Sequence, residues 1–316
     1  MPVGAQGASF KLYSKEEVTE NVAPAGNWDQ LPCFTFGLGA DQELSQDEIL
    51  SANPNRDAAD PFYGKVTVGG PARVPLDTVH FGKWLRLLMG PPTTTGATNF
   101  QHIFKSGRSD LPSRAFEKAF PDITRFERYL GVRANTLDVG ISDTGGADAT
   151  IGLLGMQEIT AGASGAGTPA TAAFTRFQRP QGAIRLAGST LAAVTGGTLR
   201  FTNDMAAVDD TIRSDDQVEG VDFGQSKGSG EVQLRFKDNT QVDLAIAKTP
   251  VSIEYSLTLN ANTSIAFLYP RAFLQRRGRA VEGPRGVSMT MPFIAGYDPT
   301  AACLLQVTLK NQVAAY

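Results

Sequence analysis

Side chains that could carry out catalysis are few and scattered in this chain of 316 residues. Its two histidines are His80, inside a predicted helix, and His102, after a threonine-rich loop, and we expect both to be structural. Neither Cys33 nor Cys303 has a histidine close by in sequence, although a nucleophile needs a neighbouring base to activate it. The sequence therefore predicts no Ser-His-Asp or Cys-His site and no enzyme.

Motifs for metals and phosphates are equally hard to find. No zinc spacing of cysteines or histidines occurs. Residues 162–167 look like a phosphate loop but lack the Lys-Ser/Thr pair and a following helix, so a linker is the better interpretation. The acidic pairs at 209–210 and 215–216 lack the alternating oxygens and central glycine of a calcium loop. We expect no metal and no cofactor.

Positive charge is concentrated in one short region. Its five arginines are Arg271, Arg276, Arg277, Arg279 and Arg285. One hypothesis is contact with DNA, and the other is a surface that pairs with acidic loops of a neighbouring subunit. No interleaved aromatic residues and no nucleic-acid-binding signature accompany the arginines, which favours the second hypothesis.

Composition limits the class of protein. There are 29 basic and 32 acidic residues, for a net charge of −3, which does not favour a general nucleic-acid or membrane binder. No apolar segment approaches the roughly 18 residues that span a bilayer, and residues 1–15 lack the apolar core of a signal peptide. We expect a protein kept in a reducing cytosol unless it leaves within a larger particle. Both cysteines would then be buried thiols, with a disulfide as the alternative.

The elements that must position these residues are mostly strands. Apolar and polar residues alternate with a period of two, which is typical of half-buried strands. The alternating segments are 137–141, 232–236, 251–259 and 305–309. One helix is predicted over 78–89, with Asp77 as its N-cap and Gly90 after its end. Its apolar stripe consists of Phe81, Trp84, Leu85 and Leu88.

The order of elements repeats along the chain. In the first half, a strand at 33–36 precedes a long polar loop at 37–63, a strand led by Gly64 and the helix-opening pair Leu76-Asp77. The second half has the matching series 198–201, 202–229, a strand led by Gly230, and Val242-Asp243 opening a shorter helix at 244–248. The separation from Gly64 to Gly230 equals that from Asp77 to Asp243, which indicates a duplicated unit.

The predicted fold class is mainly β, with two tandem antiparallel β-sandwich or barrel modules. Each module has one flanking helix and one long loop. The first module covers 31–160 and the second 176–316, joined by a flexible small-residue linker at 161–175. Residues 1–30 are polar and without pattern, and we predict an arm that a neighbour orders.

Short segments in a fixed order also carry a resemblance to a known family. In the first half they are residues 21–26, 74–77, 82–85 with Gly90, 104–107 and 111–113. In the second half they are residues 212–215, 218–220, 230–236 and 308–312. In this order they resemble the tail tube protein, or major tail protein, of long-tailed bacteriophages of the siphophage type.

The resemblance implies rings that stack into a hollow tube, with the long loops reaching between rings. A chain with two modules would form trimeric rings of pseudo-sixfold symmetry. The implied partners are other copies of the chain, the tape measure protein, the tail terminator and distal tail proteins, and double-stranded DNA in passage. The resemblance implies a virion protein assembled in the host cytoplasm, without a cofactor or a membrane.

The resemblance also suggests which residues make contacts. The candidates for contact between rings are Asp41, Glu43, Asp47, Glu48, Arg56, Asp57, Asp209, Asp210, Arg213, Asp215 and Asp216. The five arginines of 271–285 are expected to face neighbouring subunits and not the bore, because a conduit should bind DNA weakly. We expect both loops and the arm to be mobile before assembly.

Two other classes of function remain open. A virion decoration or adhesion module would also be β-rich and duplicated. A carbohydrate-active β-sandwich enzyme would need paired carboxylates in an aromatic-lined cleft. The aromatic residues here fall mainly at alternating positions typical of a core, which does not favour an aromatic-lined cleft.

Overall fold

Antiparallel strands dominate the chain, as the alternating pattern predicts. In the computed structural model, 49% of residues lie in strands and 8% in helices. The structure describes residues 4–50, 53, 55–237, 239–278 and 286–316. Within these ranges the sheets do not close into a barrel, and the fold is sandwich-like.

The first half combines long central strands with one helix. Its elements are β1 (Lys11–Glu16), β2 (Asp29–Gln30), β3 (Thr35–Phe36), β4 (Gly39–Ser45), β5 (Phe62–Pro75), α1 (Phe81–Met89), β6 (Thr93–Thr95), β7 (Phe100–Lys105), β8 (Arg114–Phe120), β9 (Arg125–Ile141), β10 (Asp148–Gly155) and β11 (Gln157–Ala161). A short 3-10 helix, Pro121–Ile123, lies between β8 and β9.

The second half has a similar series of elements. They are β12 (Gly182–Leu186), β13 (Ser189–Thr190), β14 (Val194–Thr202), β15 (Ala206–Ala207), β16 (Val221–Asp222), β17 (Lys227–Arg235), α2 (Thr240–Ala247), β18 (Val251–Asn260), β19 (Thr263–Leu274), β20 (Ser288–Ala295) and β21 (Gln306–Asn311). A 3-10 helix, Arg179–Gln181, precedes β12.

Strand pairing follows the same order in both halves. In the first half, β5 pairs with β10, β10 with β9, β9 with β8 and β11, and β8 with β1. In the second half, β17 pairs with β20, β20 with β19, β19 with β18 and β21, and β18 with β12. The helices α1 and α2 follow the equivalent strands β5 and β17. The repeated layout in the sequence thus coincides with a repeated pairing order.

Two strand pairs connect the halves. β14 pairs with β9, where Leu199 lies opposite Val139. β21 pairs with β7, where Val307 lies opposite Phe104. One cluster of buried hydrophobic side chains runs through both halves. The two halves therefore share a core as well as strand hydrogen bonds.

The first long polar segment is more regular than predicted. Within 37–63, β4 pairs with the first residues of β5, from Gly39 opposite Gly69 to Ser45 opposite Phe62, so much of the expected loop is a β-hairpin. Most β4 side chains are exposed, which removes the alternation that reveals a half-buried strand. Within 202–229, β15 and β16 form a two-stranded sheet.

The helix α1 matches its prediction closely. It begins at Phe81, later than expected, so its N-cap residue is His80 and not the predicted Asp77. The Asp77 carboxylate instead accepts hydrogen bonds from the N–H groups of Val79 (2.8 Å) and His80 (2.6 Å) in the preceding turn. The predicted stripe is buried: Phe81, Trp84, Leu85 and Leu88.

The helix α2 was predicted less well. It covers Thr240–Ala247 and not 244–248, and Asp243 lies in its first turn. The expectation that Asp243 opens this helix is therefore wrong. Every residue of α2 is exposed or partly exposed, whereas most of α1 is buried.

Two segments predicted to be loosely held are bound to the first half. In the expected arm, β1 pairs with β8 along its full length, and Leu12 and Trp28 are buried. In the expected linker, the Ser164 hydroxyl and the Gly165 N–H both donate hydrogen bonds to the buried Glu117 carboxylate. Sequence reasoning missed both because their partners are far away in sequence.

Candidate assembly surfaces

The long polar segments of the two halves meet beside the start of β5. The Val66 N–H donates a hydrogen bond to the Asp216 carbonyl oxygen (2.7 Å), and Lys65 Nζ donates to the Thr211 carbonyl oxygen (2.5 Å). Gln42 Nε2 lies 3.3 Å from Asp216 Oδ2. The two polar segments, which hold the predicted contact residues, therefore adjoin each other.

We call the exposed face of the two polar segments, 37–63 and 202–229, the acidic surface. Its predicted residues are all exposed: Asp41, Glu43, Asp47, Glu48, Arg56, Asp57, Asp209, Asp210, Arg213, Asp215 and Asp216. Arg213 forms two hydrogen bonds with Asp215, at 2.8 and 2.9 Å, and this pairing lowers the pKa of Asp215 to about 2. Because Arg213 is paired within its own loop, the surface presents mainly carboxylates to a partner.

Large apolar side chains are exposed around these carboxylates. They are Leu44, Ile49, Leu50, Phe62, Tyr63 and Ile212. Leu50 is 92% exposed and Ile212 is fully exposed. Exposed apolar side chains that lie among polar ones are typical of protein interaction sites.

The predicted arginine patch spreads along β17: Arg271 lies level with its start, because the next residue, Ala272, pairs with Ala295, whereas Arg276 and Arg277 lie nearer its end, beside Met289. Gly228 at the start of β17 is opposite Ala295, and Arg235 at its end is opposite Ser288, which follows the arginine-rich segment. Arg271, Arg276 and Arg277 are exposed, and the last two line a small pocket beside α2. The predicted residues Arg279 and Arg285 lie outside the described residues.

Sequence reasoning missed a second group of arginines. Arg73, Arg176 and Arg179 converge on the Asp148 carboxylate, with N–O distances of 2.6, 3.9 and 2.6 Å. We call this the Asp148 cluster. Asp148 begins β10 and pairs with Pro75 at the end of β5, whereas Arg176 and Arg179 belong to the connection before β12. Only the fold brings these residues together.

A comparison with protein families decides the class of this chain. A family model described as phage tail tube protein matches residues 7–295. The chain belongs to the phage tail tube protein family. A search of curated proteins found no match. Membership supports a structural role in the tail tube, a place in the virion and self-assembly into a tube. It favours this role over the decoration module and the glycan-cleaving enzyme.

The histidines and cysteines of this tail tube protein have structural surroundings. His80 and His102 are buried, with ring nitrogens 3.2 Å from the Ala172 carbonyl oxygen and 2.8 Å from the Val313 carbonyl oxygen. Both cysteines are free thiols, and burial raises the pKa of Cys33 to about 11. A thiol with a raised pKa is a poor nucleophile.

The described part of the chain contains no group of three or more His, Cys, Asp or Glu residues placed to hold a metal ion. None of the helices described is long and apolar enough to span a membrane.

Proposed function

We propose that this tail tube protein polymerises into stacked rings that form the hollow tail of a siphophage-type bacteriophage, through which double-stranded DNA passes. The observation that carries the proposal is the repeated order of strand pairings within one chain of this family. It supports a duplicated tube module, so that three chains supply the six modules of a pseudo-sixfold ring.

Two kinds of contact are needed to build such a tube. Open edges of β-sheets must be covered or paired, and head-to-tail pairing around a ring closes them. Contacts along the tube need a second surface, and the acidic surface is well suited because both halves contribute to it. We expect the parts of 37–63 and 202–229 that lie outside β4, β5, β15 and β16 to become ordered between rings.

The other partners follow from a position in the tail. The bore would hold the tape measure protein before DNA passes, and the tail terminator and distal tail proteins would bind the two ends. Assembly would take place in the cytoplasm of the bacterial host. Because the net charge of the chain is −3, we expect weak attraction between the tube and the DNA phosphates, and hence little retention of DNA. We place the arginines of 271–285 against neighbouring subunits and not in the bore.

Electron microscopy of the purified protein tests the proposal directly. Negatively stained samples should show rings or tubes, and native mass spectrometry of rings should give the mass of three chains. A six-chain ring would contradict the duplicated module, and a protein that stays monomeric at all concentrations would contradict tube formation itself.

Hydrogen exchange tests the role of the loops. Amides of 37–63 and 202–229 that lie outside β4, β5, β15 and β16 should become protected when rings stack, because contacts bury them. Amides in the strand β9 serve as the internal control, since β9 is paired on both edges in the free protein, with β8 and β11 and with β10 and β14. Unchanged protection of both loops on polymerisation would count against their place between rings.

A further inference from the structure

We propose that the Asp148 cluster is a docking site for the acidic surface of a second copy of this chain. The inference rests on the proposed function, since it concerns how copies bind each other. It adds a contact that the sequence did not suggest, at a cluster to which both halves contribute residues.

The cluster carries more positive charge than its own carboxylate can balance. Among the described residues, Asp148 is the one carboxylate within 4 Å of the guanidinium groups of Arg73, Arg176 and Arg179. The Asp148 side chain is only 10% exposed, whereas that of Arg73 is 52% exposed. An approaching carboxylate would therefore meet a net positive surface.

An exposed aromatic ring completes the site. The ring of Phe34 is flanked by the guanidinium carbons of Arg73 and Arg176, 5.3 and 4.6 Å from its centroid. Phe34 is 47% exposed despite its size. Aromatic residues and arginine are enriched at protein interfaces and among the residues that dominate binding energy.

The arginines are already held in place. Arg176 donates hydrogen bonds to the carbonyl oxygens of Ala147 (2.8 Å) and Gly146 (2.7 Å), while Arg179 is fixed by Asp148. Side chains fixed before binding lose less conformational entropy when a partner arrives. The cluster is thus prepared for a partner that brings carboxylates.

Strand geometry identifies this partner as another copy. Asp41 of the acidic surface lies opposite Thr67 of β5, and Arg73 follows six residues further along β5, so a rise of about 3.3 Å per residue separates them by roughly 20 Å. A chain cannot bring its own acidic surface to its own cluster across that distance. A second copy stacked in the same direction can bring its acidic surface there.

The second half has the same polarity. Its polar segment 202–229 leads into the start of β17, and Arg276 and Arg277 line a pocket with Met289, which pairs with Leu234 near the end of β17. Both halves therefore present carboxylates at one end of equivalent strands and arginines at the other. Such complementarity favours head-to-tail contact and disfavours contact between like ends.

Charge reversal tests the site in the full chain. Arg73→Glu should raise the critical concentration for tube assembly about tenfold or more, because a like charge would then face the incoming carboxylates. Arg125→Glu is the matched control, since Arg125 is 50% exposed and also pairs with a carboxylate, that of Glu127. It should change the critical concentration less than about twofold.

Photo-crosslinking from position 34 gives a second readout that does not depend on the folding of a charge variant. Benzoylphenylalanine in place of Phe34 should crosslink to residues 37–63 or 202–229 of another copy. Crosslinks to other surfaces only, or equal assembly by Arg73→Glu and Arg125→Glu, would overturn the inference while tubes still form. A protein that forms no tubes would instead refute the proposed function.

Binding of a labelled DNA duplex tests whether the Asp148 cluster binds DNA and not the acidic surface of another copy. We expect no difference in duplex affinity between Arg73→Glu and Arg125→Glu. A duplex affinity lost only in Arg73→Glu, without a change in assembly, would assign the cluster to DNA and overturn the inference.

Discussion

The helices α1 and α2 occupy equivalent positions in the two halves but have different surroundings. The helix α1 follows β5, which pairs with β10, and α2 follows β17, which pairs with the equivalent strand β20. Seven of the nine α1 residues are buried, whereas α2 keeps every residue at least partly exposed. Equivalent positions in the topology therefore do not require equivalent roles.

The surroundings of α1 explain its burial. Trp84 stacks on Phe116 of the first half at 5.3 Å, and Phe81 packs edge-on against Phe267 of the second half at 6.4 Å. The Leu88 carbonyl oxygen accepts a hydrogen bond from Asn203 at 2.9 Å. This helix therefore holds both halves together, and its loss should affect the whole molecule.

The helix α2 packs against the core on one side and is exposed on the other. Val242, Leu244 and Ala245 pack partly against the core, while Ile246 is 49% exposed. The exposed arginines Arg276 and Arg277 lie beside it. The comparison suggests that α1 serves stability and that α2 serves the surface.

The largest effect is expected from truncation of the buried helix. Trp84→Ala should reduce the free energy of unfolding by about 3–5 kcal/mol, because it leaves a cavity between the helix and Phe116. The matched variant Ile246→Ala in α2 should change it by about 0.5 kcal/mol or less. Urea denaturation measures both, and equal losses would break the distinction between the helices.

The second prediction concerns an unusual glycine in α1. A Cβ atom at Gly82 would lie 2.2 Å from Cζ of Tyr316, whose hydroxyl donates a hydrogen bond to the Val79 carbonyl oxygen. Gly82→Ala should therefore destabilise the protein by about 1–3 kcal/mol through overpacking, although alanine is ordinarily the better helix former.

Removing the Tyr316 side chain tests whether it causes the destabilisation by Gly82→Ala. With Tyr316→Ala already present, Gly82→Ala should become stabilising by about 0.5–1 kcal/mol, because only helix propensity then remains. Thermal unfolding of the four proteins in this cycle measures the coupling. Stabilisation by Gly82→Ala in the otherwise native chain would show that the packing of Tyr316 does not constrain α1.

The third prediction compares the two aspartates that the sequence pattern treats as equivalent. Asp77→Ala should cost about 0.5–2 kcal/mol, because the N–H groups of Val79 and His80 lose their acceptor. Asp243→Ala should change stability by about 0.5 kcal/mol or less, since Asp243 is exposed within the first turn. Equal costs in denaturant unfolding would restore the equivalence.

The smallest effect is a dependence on pH. Burial raises the pKa of Asp77, although hydrogen bonds from His80 and Val79 oppose this. The native state therefore binds the Asp77 proton more tightly than the unfolded state does. The resulting stabilisation is complete below the ordinary pKa of aspartate and is lost as the pH rises through the raised pKa of the native state.

The variant Asp77→Asn keeps the acceptor oxygen and removes the titration. Relative to this variant, the native protein should lose stability as the pH rises from about 3 to 7. Unfolding free energies of both proteins across this range provide the measurement, and Asp243→Asn is the control at an exposed position. A difference between the native protein and Asp77→Asn that stays constant with pH would refute the prediction.

Local patterns identified the elements whose burial is one-sided. The strands with a period of two and the stripe of α1 are found in the structure. The strand β4 was missed because most of its side chains are exposed. The start of α2 was missed because a helix without buried residues has no strong apolar stripe to mark it.

Contacts distant in sequence account for the other misses. The small-residue content of 161–175 predicts a flexible linker, but a Cβ atom at Gly165 would lie 1.9 Å from Arg128 Nη2. The glycine thus permits a close approach in a tightly bound segment. Likewise, the joining of the two polar segments at Val66 and Asp216 depends on the pairing of β14 with β9, which no local pattern contains.

The pairing of β7 with β21 has a consequence for synthesis. One edge of β7 finds its partner only when residues 306–311 have left the ribosome. Translation at roughly 5–20 residues per second makes that wait on the order of 10–40 s. During this time the nascent chain carries an unpaired strand edge open to other chains. The speed of translation relative to closure of this pair therefore sets how long each newly made subunit is exposed to aggregation.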